Sequence, residues 1–301
     1  MNILITGSSG FVGQNLTPYL QDNRFLVTPL SLRGQHWISN LPLRIDAIIH
    51  LAGKAHDTSN TSDATAYFEI NTELTKALFM VFLKSDARDF IYFSSVKATA
   101  DTISDVLTES NYSQPLTPYG QSKLKAEEFI LNQTLPIGKR LIILRPCMIH
   151  GPGNKGNLNL LYKFVAKGIP YPLAAFENKR SFLSIENLCY AVKEILNQRD
   201  IPSGIYNLAD DEALSTNEVV ICIAASLGKK TNLLRIPQGL LKSMAKIGDT
   251  VKLPLNSERL KKLTENYVVS NAKIKAALGI SVFPISAREG LTKTIKSFSA
   301  Q

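Results

Sequence analysis

Three side chains in the first half of the chain have the types and spacing of an acid–base unit. The segment "PYGQSK" sets Tyr119 and Lys123 four residues apart, on one face if the segment is helical. A phenol with a pKa of about 10 is a poor proton donor and acceptor at neutral pH. An ammonium one turn away favours the phenolate and lowers that pKa. A nearby hydroxyl would orient a substrate oxygen. The stretch "FSSVKATA" offers two, and Ser95 is the better placed, with Ser94 its competitor. Both follow Phe90–Phe93, which reads as a strand, and the carboxyl ends of parallel strands border the ligand crevice of such sheets.

A second group of residues suits a dinucleotide. "TGSSGFVG" places Gly7, Gly10 and Gly13 between an apolar strand pattern, Asn2–Thr6, and an amphipathic stretch from Phe11 to Leu20. Glycines there let the backbone turn tightly and approach a pyrophosphate. The following helix N-terminus presents free N–H groups and the positive end of its dipole. An acidic residue about 20 positions on would bond an adenosine ribose 2′-hydroxyl. Ser31 stands there instead, with Arg33 close behind. A carboxylate would repel a 2′-phosphate, whereas serine and arginine would receive one. The reading favours NADP(H) over NAD(H).

The elements that hold these groups alternate. Strand patterns at Asn2–Thr6, Phe25–Leu30, Asp46–Leu51, Phe90–Phe93 and Leu141–Leu144 are interleaved with helical patterns at Phe11–Leu20, 63–84 and Pro118–Asn132. Runs such as "DAIIHL" are apolar throughout, as strands buried on both faces are. The expectation is a doubly wound α/β domain on a parallel sheet, the Rossmann architecture, over residues 1–150. Residues 151–301 read as a smaller mixed α/β substrate lobe, with segments near 182–210 returning to the first domain. Helical patterns fall at about 158–167, 186–197, 216–227, 237–247 and 286–298.

With 301 residues, 45% hydrophobic and 20% charged, the composition is that of an ordinary globular chain. No apolar run approaches the ~18 residues of a membrane span, and "MNILITG" lacks a secretory signal pattern, so a cytoplasmic setting is expected. Cys147, Cys189 and Cys222 fit no metal-ligand spacing and read as reduced, buried thiols. His50 reads as strand packing and His56 as a solvated loop residue. The net charge of +9 is uneven: residues 229–301 carry 14 Lys+Arg against 4 Asp+Glu. Nucleic acid is not indicated, since no motif or aromatic interleaving accompanies those lysines. In "QGLLKSMAKIGDTVKLPL", Leu240, Leu241, Met244, Ala245 and Ile247 alternate with Lys242 and Lys246. Such a stripe more often docks on its own core or covers a site; weak association with a membrane surface is the other use.

Taken together, "TGSSGFVG", "IIHLAG", "EINTELT", "FIYFSS", "PYGQSK", "LRP" with "HGPG", and "RSFLSIENL" resemble the extended short-chain dehydrogenases/reductases. These are the NAD(P)-dependent nucleotide-sugar epimerases, dehydratases and reductases, and the likeness spans nearly the whole chain. It implies that Tyr119 is the acid–base, that Lys123 tunes it and bonds the nicotinamide ribose, and that Ser95 bonds the sugar C4 oxygen. Arg180 is implied to hold the substrate diphosphate, with Lys155, Asn157 and Ser94 as further substrate contacts. Gly7, Gly10, Phe11, Val12, Gly13, Ser31, Arg33, Leu51, Ala52, Gly53, Asn71, Tyr119, Lys123 and Pro146 would line the coenzyme, Asn71 in a structural or a cofactor-side role. A homodimer through the helices at 63–84 and 118–132 is the assembly that the family suggests.

Family dehydratases carry an acidic pair directly after the serine or threonine. Val96 and Lys97 stand there, and neither can do carboxylate chemistry. The V-Y-G of epimerases is also replaced, by Ala98, Thr99 and Ala100. Hydride transfer at C4 remains. A reductase exchanges its coenzyme and draws on NADPH, so Ser31 and Arg33 favour C4 reduction of a UDP-4-keto-6-deoxy-N-acetylhexosamine for surface polysaccharide. An NAD-dependent UDP-sugar 4-epimerase is the alternative. A non-catalytic dinucleotide-binding protein is a further one, although it would have no need of Ser95, Tyr119 and Lys123 together.

Overall fold

The computed structural model describes residues 1–34, 36–54, 63–154, 156–251 and 256–299. His56 and Lys155 lie outside the described residues, as does the side chain of Asn157. The strands are β1 (Asn2–Thr6), β2 (Leu26–Leu30), β3 (Ala47–His50), β4 (Asp89–Phe93), β5 (Val106–Leu107), β6 (Arg140–Pro146), β7 (Met148–His150), β8 (Phe182–Ser184), β9 (Gly204–Leu208) and β10 (Val268–Val269). The helices are α1 (Phe11–Asp22), α2 (Ala64–Phe68), α3 (Leu74–Lys84), α4 (Pro118–Leu131), α5 (Asn157–Ala166), α6 (Ile185–Asn197), α7 (Thr216–Ser226), α8 (Gln238–Val251), α9 (Ser257–Thr264), α10 (Ala272–Leu278) and α11 (Ala287–Ser299).

Six strands form one parallel sheet in the order β2-β1-β3-β4-β6-β9. This is the doubly wound α/β fold expected from the alternating pattern. The registers Thr6↔Leu30, Thr6↔His50, His50↔Tyr92 and Phe93↔Leu144 bring the strand carboxyl ends to one edge. The chain leaves β1 towards β2 on one side and crosses to β3 on the other, so the switch in winding falls between β1 and β3. Ligand crevices open there in sheets of this kind.

Both faces of the sheet are covered. Ile3, Ile5, Ile49, Ile91 and Leu144 pack with α1 and α6 residues in one core. Leu4, Ile48, Phe90, Tyr92 and Ile143 pack with Phe79, Phe82 and Ala126 in another. A further core joins Leu158, Phe182, Val220, Ile223, Leu241, Ala245, Leu291 and Ile295 from α5, β8, α7, α8 and α11.

Several expectations shift. The 63–84 helix is interrupted by a π-helical turn at Glu69–Glu73; tertiary hydrogen bonds cause it, and no Gly or Pro marks it. The second strand begins at Leu26, not Phe25. Helices α9 and α10 fall where no helical pattern was read. Cys147 and Cys189 are buried free thiols, whereas Cys222 is only half-buried. His50 is the packing residue foreseen. It is fully buried between Thr6 Oγ1 at 2.7 Å and Thr75 Oγ1 at 2.8 Å, and burial depresses its pKa to about 3. No helix among the described residues is long and apolar enough to cross a membrane.

Candidate active site

The glycine turn sits on the switch point. Gly7 has φ +72°, and a Cβ there would lie 2.6 Å from Ala52 N, so the β1 turn presses against the loop that follows β3. A Cβ on Gly13 would lie 2.5 Å from Ser8 Cα. These two glycines are demanded by the protein's own packing. Gly10 differs: a Cβ would meet only Gly7 O, at 3.3 Å, and its φ of −78° suits any residue. The open side of the turn is where a pyrophosphate would lie. Among the described residues no side chain caps α1, so the amides at Phe11, Val12 and Gly13 receive no side-chain acceptor from them. The residues present therefore fit a dinucleotide. Ser31 and Arg33 are exposed just beyond β2, with Arg33 N donating to Ser31 Oγ at 3.3 Å. Leu51, Ala52 and Gly53 follow β3 on the other flank, and the buried Pro146 ends β6.

Asn71 explains the π turn. Its Oδ1 accepts from Lys54 N at 2.7 Å, and its Nδ2 donates to Lys54 O at 3.1 Å and Ser122 Oγ at 3.0 Å. Thr72 Oγ1 donates to Ser122 O at 2.8 Å. The widened turn aims both side chains at α4 and ties it to the loop after β3. Of the two roles expected for Asn71, these bonds supply the structural one.

Helix α4 begins on Thr117, whose Oγ1 accepts from Gly120 N at 3.3 Å, with Pro118 at its first position. That start sets Tyr119 beside Ser95 and aims Lys123 beneath the end of β4. Burial around the Tyr119 hydroxyl raises its pKa, and a hydrogen bond from Ser95 draws it back down. The sequence reading expected the Lys123 ammonium to lower this pKa; burial prevails, and the Tyr119 pKa lies above its ordinary value. In the structure the Lys123 ammonium is engaged elsewhere: it donates to Phe93 O at 2.9 Å and lies 5.0 Å from the Tyr92 ring centroid. Burial lowers its pKa to about 8, and Glu127, one turn further along α4, opposes that. A Cβ at Gly53 would come within 3.2 Å of Lys123 Nζ, so the amine borders the coenzyme loop. Ser94 Oγ, just beyond β4, is buried without a hydrogen-bond partner among the described residues.

Carboxylates near the pair are spent. Glu127 is held by Arg145, which also donates to Thr99 Oγ1 at 2.8 Å. Asp101 accepts from Leu116 N, Thr117 N and Thr117 Oγ1 at 2.7–3.1 Å. Arg180 arrives from the second half of the chain, just before β8. Its backbone bridges Leu214 and Tyr267, and its Nη1 donates to Lys262 O at 2.6 Å. Asn157 opens α5. Sequence reasoning passed over Asp101, Thr117 and Tyr267. A Thr-Pro pair before a helical pattern is a capping signal that would have found Thr117; nothing local marks the other two.

Residues 3–209 match the NAD dependent epimerase/dehydratase family. The chain belongs to that family. Like its other members it is an enzyme that uses a nicotinamide dinucleotide. A family relative, UDP-glucose 4-epimerase of Vibrio cholerae, is 29% identical over 99% of this chain and 95% of its own length. The N-acetyl-alpha-D-glucosaminyl-diphospho-ditrans,octacis-undecaprenol 4-epimerase of Escherichia coli O157:H7 is 26% identical over 98% and 94%. GDP-6-deoxy-D-mannose reductase of Pseudomonas aeruginosa is 26% identical over 74% and 79%. Among solved structures, RMD from Pseudomonas aeruginosa complexed with NADPH superposes with a TM-score of 0.76 at 20% identity, covering 100% of this chain and 99% of that one. MoeE5 in complex with UDP-glucose and NAD gives 0.76 at 21%, with the same coverage.

Proposed function

We propose that this protein reduces the C4 keto group of a nucleotide-linked sugar with NADPH. The sugar proposed is a UDP-4-keto-6-deoxy-N-acetylhexosamine made for surface polysaccharide. The observation that carries the choice is the turn after β2: Ser31 and Arg33 are exposed there, and "SLRGQH" holds no carboxylate to repel a 2′-phosphate. Dehydration is disfavoured because Val96 and Lys97 follow Ser95, and the acids Asp101 and Glu127 are committed to Thr117 and Arg145.

The coenzyme, when bound, supplies hydride to the sugar carbon. Tyr119 gives a proton to the C4 oxygen as charge develops on it. Ser95 donates to the same oxygen, and the Lys123 ammonium favours the negative charge nearby. Arg180 holds the diphosphate, with Lys155, Asn157 and Ser94 as further substrate contacts; fixing the sugar in this way supplies rate through positioning. Gly7, Gly10, Gly13 and the α1 amides take the pyrophosphate.

A second reading, a UDP-sugar 4-epimerase that retains NAD, is favoured by the Vibrio relative, which matches almost end to end. One assay separates them: incubation with NADPH and a panel of UDP-linked 4-keto and ordinary hexosamines. Coenzyme consumption with the keto sugars supports reduction. Interconversion of ordinary sugars without net consumption overturns it in favour of epimerisation. Binding isotherms for NADH and NADPH test the Ser31–Arg33 argument directly, and a clear NADH preference removes it.

Two further parts of this proposal concern partners. Helix α8 divides its apolar residues: Leu241 and Ala245 are buried in the core, whereas Leu240, Met244 and Ile247 are 54%, 47% and 59% exposed. Residues 219–248 hold five Lys/Arg and no Asp/Glu, which suits weak docking on an anionic bilayer. A homodimer through α3 and α4 would cover the exposed Met80 and Leu131.

A further inference from the structure

Lys97 lies two residues after Ser95 and outside the Ser95–Tyr119–Lys123 group. It is half-buried, and burial works against its charge. A methionine would fill similar space without that cost, so the ammonium needs a reason.

Its contacts converge from three directions. Within the loop, Lys97 N donates to Ser95 Oγ at 3.2 Å, and Lys97 Nζ donates to Asp101 O at 2.7 Å. From α4, the Asp101 carboxylate accepts from Thr117 N and Oγ1, and Thr117 caps the helix that carries Tyr119. Lys97 O also lies against Gly120, where any Cβ would collide with it. From the last quarter of the chain, the Tyr267 ring lies under Lys97 Nζ, 4.2 Å from its centroid. The Tyr267 hydroxyl donates to Ala100 O at 2.7 Å and reaches Val96 O at 3.3 Å. Tyr267 is itself bridged to Arg180, with Ser181 N donating to Tyr267 O at 2.9 Å.

We propose that Lys97 is a positioning residue: its ammonium, held between the Asp101 carbonyl and the Tyr267 ring, sets Ser95 against Tyr119 and ties that pair to the Arg180 segment. One side chain thus joins the loop after β4, the start of α4 and the strand-like piece before β10. The proposal rests on Ser95 and Tyr119 being the reacting pair.

The test uses Lys97→Met and Lys97→Arg in the full chain. With a sugar that the wild type turns over, Lys97→Met should lower kcat by roughly 10- to 100-fold, the scale of a small misplacement. Coenzyme affinity should stay within about twofold, because Lys97 touches no part of the glycine turn. Lys97→Arg, which keeps charge and donors, should recover most of the rate. A second measurement needs no sugar. Ultraviolet pH titration of the Tyr119 phenol, taken as the difference from Tyr119→Phe, should move upward in Lys97→Met as the Ser95 hydrogen bond loosens. Among the described residues, Ser95, Tyr67 and Tyr92 interact with that phenol, with Lys123 on its own helix. An unchanged Tyr119 titration overturns the proposal whatever the effect on rate or stability, and so does wild-type kcat in Lys97→Met. If the wild type consumes NADPH with none of the sugars, the functional reading fails while the titration still decides Lys97.

Discussion

At the scale of residues, the main tension lies between burial and charge at Tyr119 and Lys123. On the proposed reaction, Tyr119→Phe removes the proton that the C4 oxygen needs and leaves the aromatic ring beside the coenzyme in place. It should cost roughly three orders of magnitude in kcat, with coenzyme affinity near that of the wild type by fluorescence titration. Lys123 is 4% exposed, and its pKa is lowered from 10.5 to about 8. The folded state therefore binds this proton less well than the unfolded chain. The resulting cost, roughly 3 kcal/mol, is present in full below about pH 8 and relieved as pH rises towards the unfolded value. The stability of the wild type relative to Lys123→Met should accordingly improve with pH across that window. Denaturant unfolding of both proteins on either side of pH 8 checks it, and a difference that stays constant counts against a buried ammonium. Turnover should move the opposite way, falling as Lys123 loses its proton.

At the scale of elements, the β1–α1 turn separates what the fold requires from what a ligand requires. A Cβ on Gly13 would collide with Gly7 and Ser8, whereas one on Gly10 would meet Gly7 O at 3.3 Å, a tight contact that a shift of a few tenths of an ångström relieves. Gly13→Ala should lower the melting temperature and abolish coenzyme binding together. Gly10→Ala should leave melting within a degree or two of the wild type while weakening coenzyme binding about tenfold or more. Calorimetry with and without coenzyme distinguishes the two. The π turn at Glu69–Glu73 teaches the complementary lesson. It holds no Gly or Pro, and its widened backbone carries the bonds of Asn71 and Thr72 to Lys54 and Ser122.

At the scale of the whole molecule, charge and apolar surface are unevenly shared. The basic stretch around α8 and its exposed Leu240, Met244 and Ile247 predict co-sedimentation with vesicles rich in anionic lipid and little with zwitterionic ones. Leu240→Ser combined with Ile247→Ser should abolish it without unfolding the core, since Leu241 and Ala245 supply the buried side. Binding that survives this double change would locate the docking elsewhere.

Much of the frame was legible from the chain itself. Short-range rules act on strand runs, glycine spacing and helix starts, so "TGSSGFVG", "DAIIHL" and "PYGQSK" announced the first turn, the buried strand and the helix that begins at Pro118. Tertiary structure decided the rest. It set the Lys123 ammonium on the Phe93 carbonyl and buried the Tyr119 phenol, whose pKa is raised above its ordinary value with Ser95 in partial opposition. It placed Tyr267 under Lys97, a pairing of residues 170 positions apart that no local pattern encodes. It also divided the α8 stripe into a buried and an exposed half, since which side of an amphipathic helix meets a core depends on where its neighbours in space lie. The lysine at 97, without a role in the sequence reading, takes one from contacts brought together by three separate elements.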